Sequence, residues 1–198
     1  MRTWSLVIVL LISFTLVSAQ EESDMPMNGK MKPVLIIIDT QNQFMHYMDQ
    51  ADSKIALEMI NWSIVTFRSY GFPIIRVYHT DPQNGPSTDR KEFQFVESLQ
   101  INEKDPMIVK NYPNAFKKTD LDKVLKEMGA NTLFLCGLSS VGCVIATYHG
   151  AKDNDYDVVL LENALMCHDH SQTQSIEKIF DSVNFTVMNM MLKYAKTE

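Results

Sequence analysis

Three cysteines in 198 residues are too few for a disulfide scaffold, and an odd number leaves at least one thiol unpaired in an exported chain. Basic residues are also short. Eighteen Lys and Arg against 24 Asp and Glu leave a net charge of -6, without the clustered cations that nucleic acid demands. The chain has no internal repeat, no low-complexity block and no second hydrophobic segment beyond the one at its N-terminus. What these absences leave is one core in one domain.

The single long apolar run reads as a leader. Arg2 precedes an apolar stretch over residues 6–17, and Val17-Ser18-Ala19 has the small-x-small form of a signal-peptidase site. Residues 1–19 are therefore expected to be a signal peptide, cleaved after Ala19. A membrane anchor is the competing reading, but the run is shorter than the roughly 20 apolar residues that span a bilayer, and no basic stop-transfer cluster follows. Residues 20–30 are polar, contain Pro and Gly, and read as a flexible segment. The expected product is secreted or periplasmic, off the membrane after cleavage, with its folded domain over residues 31–198.

Within that domain, strands and helices alternate. Pro33–Ile38 (PVLIII) is a continuous apolar, β-branched run, as expected of a strand buried on both faces of a parallel sheet. Residues 53–70 carry apolar side chains at helical spacing, ended by Gly71. Residues 73–78 and Met107–Lys110 read as the next strands, separated in part by a turn-rich loop over residues 79–90 that is a candidate lid. A helix over 120–128, a strand over 131–136, a helix over 141–154, a strand over 157–161, a helix over 172–181 and a strand over 185–188 follow. This alternation predicts a three-layer α/β/α domain around a mostly parallel, doubly wound sheet of about six strands.

Ligands of open α/β sheets bind beyond the carboxyl ends of the strands, which directs attention to the residues just after each strand. Asp39 ends the first, Lys110 ends the third, and Cys143 opens the helix after the fourth. Alone, each has a structural explanation as turn, solvated cation or packing residue. Together they have the parts of a nucleophilic site. A helix N-terminus and a nearby cation favour thiolate at Cys143, Asp39 can carry its proton, and Lys110 can hold the pair in register. Backbone amides around Ser139 and Cys143 could receive a developing oxyanion. Phe44, Tyr112 and Phe116 are the expected pocket walls, because they lie close in sequence to Asp39 and Lys110.

The segments DTQNQF (residues 39–44), VKNYPNAF (109–116) and GLSSVGCVIATYHGA (137–151) resemble, in order and spacing, the signature regions of the isochorismatase-like cysteine hydrolases. That group includes nicotinamidases and N-carbamoylsarcosine amidases. The resemblance spans roughly residues 33–187. It implies Cys143 as nucleophile, Asp39 as proton carrier, Lys110 as third member of the triad, a cis peptide between Leu138 and Ser139, and the Ser139 and Cys143 amides as oxyanion hole. It also implies a possible homo-oligomer. Isochorismatases proper cleave a vinyl ether and lack the cysteine, so Cys143 points to attack on a carbonyl or similar carbon.

Departures from the family pattern bear on substrate. The paired-histidine metal site of nicotinamidases is reduced here to His79, which predicts no metal and no other cofactor. Gln43, Asp155 and Asn163 stand where the family usually has Asp, Gly and Asp. His149 reads as a surface or interface residue, and Asp169 or Ser171 as a helix cap beside His168 and His170. Cys136 reads as a buried hydrophobe, with a Cys136–Cys167 bridge left open. Asn61 and Asn184 begin glycosylation acceptor patterns. The resulting expectation is an exported cysteine hydrolase acting on a small amide or carbamoyl-type substrate. The alternatives are an ether hydrolase and a secreted binding or effector protein with little turnover.

Overall fold

The computed structural model describes residues 30–81, 83, 85 and 87–197. The expected signal peptide, and the expected flexible segment apart from Lys30, lie outside the described residues. Every residue of β1 (Pro33–Ile38) is buried, with Leu35 and Ile37 in the core on one side of the sheet and Val34, Ile36 and Ile38 in the core on the other. A strand covered on both faces needs apolar side chains at consecutive positions, which is why its sequence shows no alternation.

After β1 come α1 (Asn42–Met45), α2 (Gln50–Tyr70), β2 (Ile74–His79), β3 (Met107–Lys110), α3 (Leu121–Glu127) and β4 (Thr132–Leu138). A wide turn over Ser140–Val144 leads into α4 (Ile145–Lys152), followed by β5 (Asp157–Met166), α5 (His170–Ile179), β6 (Ser182–Val183) and α6 (Phe185–Thr197). All six strands are parallel, in the order β3-β2-β1-β4-β5-β6. One face is covered by α2 and α6, through Ile60, Ile64, Phe67, Met188 and Leu192. The other is covered by α3 and α4, through Leu121, Leu125, Tyr148 and Ala151. The expected doubly wound α/β/α architecture is present, and the sheet is wholly parallel.

Two local expectations change, and one segment without an expectation takes a defined place. Residues 185–188 do not form a strand: Phe185 begins a 13-residue helix whose buried positions Met188, Leu192 and Ala195 recur at helical spacing. A four-residue apolar run is compatible with either element, and only the longer pattern separates them. The sixth strand is instead the short Ser182–Val183. Strand β5 runs on past residue 161 to Met166, resuming after a register shift opposite Leu135 and Gly137. Finally, residues 91–106 fold over the sheet end, where Tyr78 stacks on Phe93 and Phe95 at 5.0 and 4.2 Å between ring centroids. Their amides and carbonyls bond the segment after β1, with Asn42 N–H donating to Gln94 O and Gln43 N–H to Glu92 O.

Candidate active site

Strand order grows in opposite directions from β1 and β4, so the crevice between their carboxyl ends is the switch point at which open α/β sheets bind ligands. Gly137 brings the two strands unusually close there. Its φ is +109°, and a Cβ would lie 2.1 Å from the Ile38 carbonyl oxygen, which excludes any other residue. The Leu138–Ser139 peptide is cis. Cys143 lies in the wide turn that follows, kinked at Gly142 (φ -124°, ψ -106°), and regular helix starts only at Ile145. The helix expected from residue 141 therefore begins four residues later. Behind the turn, Thr147 Oγ1 accepts from the Ala115 amide at 3.1 Å, tying α4 to the loop after Lys110.

Asp39, Lys110 and Cys143 are brought together. Lys110 Nζ donates to Asp39 Oδ2 at 2.7 Å, with the two side chains 0% and 2% exposed. A second contact joins Lys110 Nζ to His79 Nδ1 at 3.2 Å. Asp39 Oδ1 is buried with no partner in hydrogen-bond geometry among the described residues, although the Cys143 thiol lies near enough to interact with the carboxylate. One ligand atom each from Asp39, His79 and Cys143 lie within 4.8 Å of one another. Asp39 takes a left-handed backbone conformation, φ +50°, with its amide donating to Val77 O at 2.8 Å.

The electrostatics reverse one expectation. Burial pushes the Cys143 thiol up to about 12, the Asp39 charge acts in the same direction, and Lys110 opposes both more weakly. Cys143 is half-buried in a kinked turn rather than on the open first turn of a helix, and the cation that would favour thiolate is bonded to a carboxylate. Burial also raises Asp39 above the usual carboxylate range, against the pull of Lys110. Burial thus favours the protonated thiol, and a carboxylate stands beside it to which the proton can move. His79 is held below its ordinary value, first by burial and then by the Lys110 charge.

A cavity of about 700 Å³ opens beside this cluster and meets it at His79. Phe44 lines it, 6.1 Å from the His79 ring, together with Asn42, His46, Tyr47 and Lys91. The other two expected walls are elsewhere. Phe116 packs against Tyr156 in the core that α4 covers, and Tyr112 lies below the Lys117 ammonium. Sequence reasoning had no signal for Lys91 and Glu92, which reach the cavity from the segment folded over the sheet. It had a signal for His79, the last residue of β2, whose register opposite Lys110 follows from parallel pairing.

The donors Asp39, His79 and Cys143 are of types that bind metal. Here, however, the Lys110 ammonium already lies against Asp39 Oδ2 and His79 Nδ1, and a fixed cation on two of three donors leaves the set unfit for a metal ion. The remaining marks are structural. Asp169 caps α5 by accepting from Ser171 N at 2.9 Å, His149 is exposed, and Cys136, Cys143 and Cys167 are all free thiols, so no Cys136–Cys167 bridge forms. Asp155, where the family usually has Gly, adopts the left-handed φ of +61° that glycine would take. No described helix is long and apolar enough to cross a membrane.

Comparison with known proteins agrees with this geometry. The chain is 32% identical over 141 residues to the uncharacterized isochorismatase family protein YddQ of Bacillus subtilis (strain 168), covering 68% of this chain and 77% of that one. It is 26% identical over 141 residues to the secreted isochorismatase effector Isc1 of Verticillium dahliae, covering 67% and 71%. The fold is that of N-carbamoylsarcosine amidase from Thermoplasma acidophilum, with a TM-score of 0.67 at 22% identity over 78% of this chain and 95% of that one. The family model described as the isochorismatase domain matches residues 33–189, and the chain belongs to the isochorismatase family.

Proposed function

We propose that the protein is an exported cysteine hydrolase that cleaves the C–N bond of a small amide or carbamoyl-type substrate through a thioester on Cys143. The observation that carries this reading is the partnerless Asp39 Oδ1, buried beside a half-buried thiol while Oδ2 is held by Lys110. A carboxylate with one oxygen fixed and the other free is prepared to accept a proton.

In the forward step Asp39 takes the Cys143 proton as Sγ bonds to the substrate carbonyl carbon. The amides of Ser139 and Cys143 receive the oxyanion. Collapse breaks the C–N bond, and the proton on Asp39 passes to the departing nitrogen, leaving a thioester. Water then gives a proton to Asp39 as its oxygen attacks that thioester. The C–S bond breaks, the acid product leaves, and the proton returns to Cys143. Lys110 holds the Asp39 carboxylate in place and offsets the negative charge that the pair carries. A vinyl ether would offer Cys143 no carbonyl, which disfavours ether hydrolysis.

The test is intact mass spectrometry of the purified protein with a panel of small amides. A substrate-sized acyl adduct on Cys143, absent in Cys143→Ala and unaffected by EDTA, supports the reading. Absence of any adduct across the panel, or an adduct elsewhere, rejects it. A second reading, a secreted effector with little turnover, is favoured by the similarity to the effector of Verticillium dahliae and by the leader-like residues 1–19. Export is tested by N-terminal sequencing of secreted material, with Gln20 as the expected first residue.

A further inference from the structure

His79 belongs to none of the three positions assigned to proton transfer, yet it touches the buried cation on which they depend. An ammonium has three donors and no acceptor, so the 3.2 Å contact between Lys110 Nζ and His79 Nδ1 is productive only when Nδ1 carries a lone pair. That condition fixes the imidazole as neutral, with its proton on Nε2. Lys110 is 0% exposed, and water is not available to replace an acceptor that is lost.

The backbone around His79 is correspondingly constrained. Gln41, fully buried just past β1, accepts from the His79 amide through Oε1 at 2.7 Å and donates through Nε2 to the His79 carbonyl at 3.1 Å. The same Nε2 donates to Phe93 O at 2.8 Å, so one side-chain amide joins β1, β2 and the segment folded over the sheet end. On the other edge, Thr80 N–H donates to Lys110 O at 3.0 Å. The backbone that carries the ring is thus held from both neighbouring strands, at the point where the cavity meets the cluster.

Resting on the hydrolase reading above, we propose that His79 is a positioning residue, a neutral acceptor that holds the Lys110 ammonium against Asp39 Oδ2. Lys110 bonded to Asp39 alone could swing about that contact. With His79 as second acceptor its Nζ has two anchors, and Asp39 keeps Oδ1 turned to its proton-carrying task. The groups facing His79 are Lys110 from β3, Asp39 after β1, Cys143 from the wide turn and Asp81 from its own loop. Protonating His79 would set an imidazolium against the ammonium, so the anchor is released on acidification.

Two measurements test this, neither of which needs a substrate. In full-length protein with 15N-labelled histidine, ring spectra at about pH 7, assigned by the signal lost in His79→Asn, should give His79 as the neutral Nε2–H tautomer. An Nδ1–H tautomer or an imidazolium at that pH overturns the proposal. The second is alkylation of Cys143 by iodoacetamide, read by peptide mass. His79→Leu, which removes the acceptor, should slow it by on the order of 10-fold or more, as expected of a misplaced charge. His79→Asn, whose amide oxygen can stand near the Nδ1 position and cannot titrate, should recover most of that loss and flatten its acid limb. A wild-type rate in His79→Leu, or no recovery in His79→Asn, also overturns it. If the leucine variant does not fold, the tautomer decides. Failure of the hydrolase reading looks different: alkylation responds to His79 as stated while no amide acylates Cys143.

Discussion

Asp39 and Asp52 are nearly the same object in two places. Each is a buried carboxylate with one oxygen bonded to a basic side chain and the other without a hydrogen-bond partner among the described residues. Asp39 pairs with Lys110 at 2.7 Å and Asp52 with His170 at 2.6 Å. Their surroundings differ. The Lys110 side chain is wholly buried, whereas that of His170 is 57% exposed, and only Asp39 has a thiol beside it. Asp52 lies in the first turn of α2 and His170 opens α5, so this pair joins two helix starts. An orphaned carboxylate oxygen is therefore not itself a mark of chemistry. It becomes one when a nucleophile stands next to it and the paired cation cannot leave for water.

The contrast can be broken most severely at the nucleophile. Cys143→Ala should abolish turnover and acyl adduct alike, while the Asp39–Lys110 pair stays intact. Asp39→Asn keeps size and most packing but cannot accept the proton, so the acylation rate should fall by roughly 10²–10⁴-fold. Stopped-flow or single-turnover kinetics would read it, and a rate near wild type would make Asp39 structural. Asp52→Asn on the same assay should change the rate less than about twofold, and a larger loss would erase the distinction drawn here.

Stability sharpens the comparison further. Lys110→Met leaves the Asp39 charge buried without its partner and should cost about 3–5 kcal/mol in urea denaturation unless Asp39 protonates. His170→Ala removes a partner that is more than half exposed, and solvent screening holds the expected cost to about 1 kcal/mol or less. Equal costs would mean that burial does not separate the two pairs.

The smallest effect is a pH slope. The Cys143 thiol is raised in the folded protein to about 12, above the ordinary range near 8.5 of an unfolded chain. Below that window both states hold the proton, and within it the unfolded state releases a proton that the folded state keeps. Folding stability should therefore fall as pH rises through the window. Cys143→Ala should show a shallower fall than wild type. An identical slope would mean that the thiol ionises in the folded protein as it does in water.

Much of this was legible in the chain. Pro33–Ile38 could be read as a strand because burial on both faces writes itself as an unbroken apolar run, and the edge strand Met107–Lys110 from its short β-branched pair Ile108-Val109. Asp39 and Lys110 then followed as strand-end residues. The helix at Phe185–Thr197 could not be read from its first four residues, since its buried stripe runs from Met188 to Ala195. Tyr112 and Phe116 are not among the residues lining the cavity at His79, since closeness in sequence to a strand-end residue says nothing about which way a loop turns.

Sequence by itself determined the layer architecture, the parallel sheet and the three reactive side chain types at its carboxyl edge, because these follow from local periodicity and from the geometry of βαβ crossovers. Tertiary structure alone decided the protonation of the thiol, the lysine's second acceptor and the lining of the cavity. Those depend on which groups meet across strands distant in the chain, and on how far water is kept from them. The sign of the Cys143 shift is the clearest case: the cation that should have lowered it is present, but it is bonded to Asp39, and burial outweighs it.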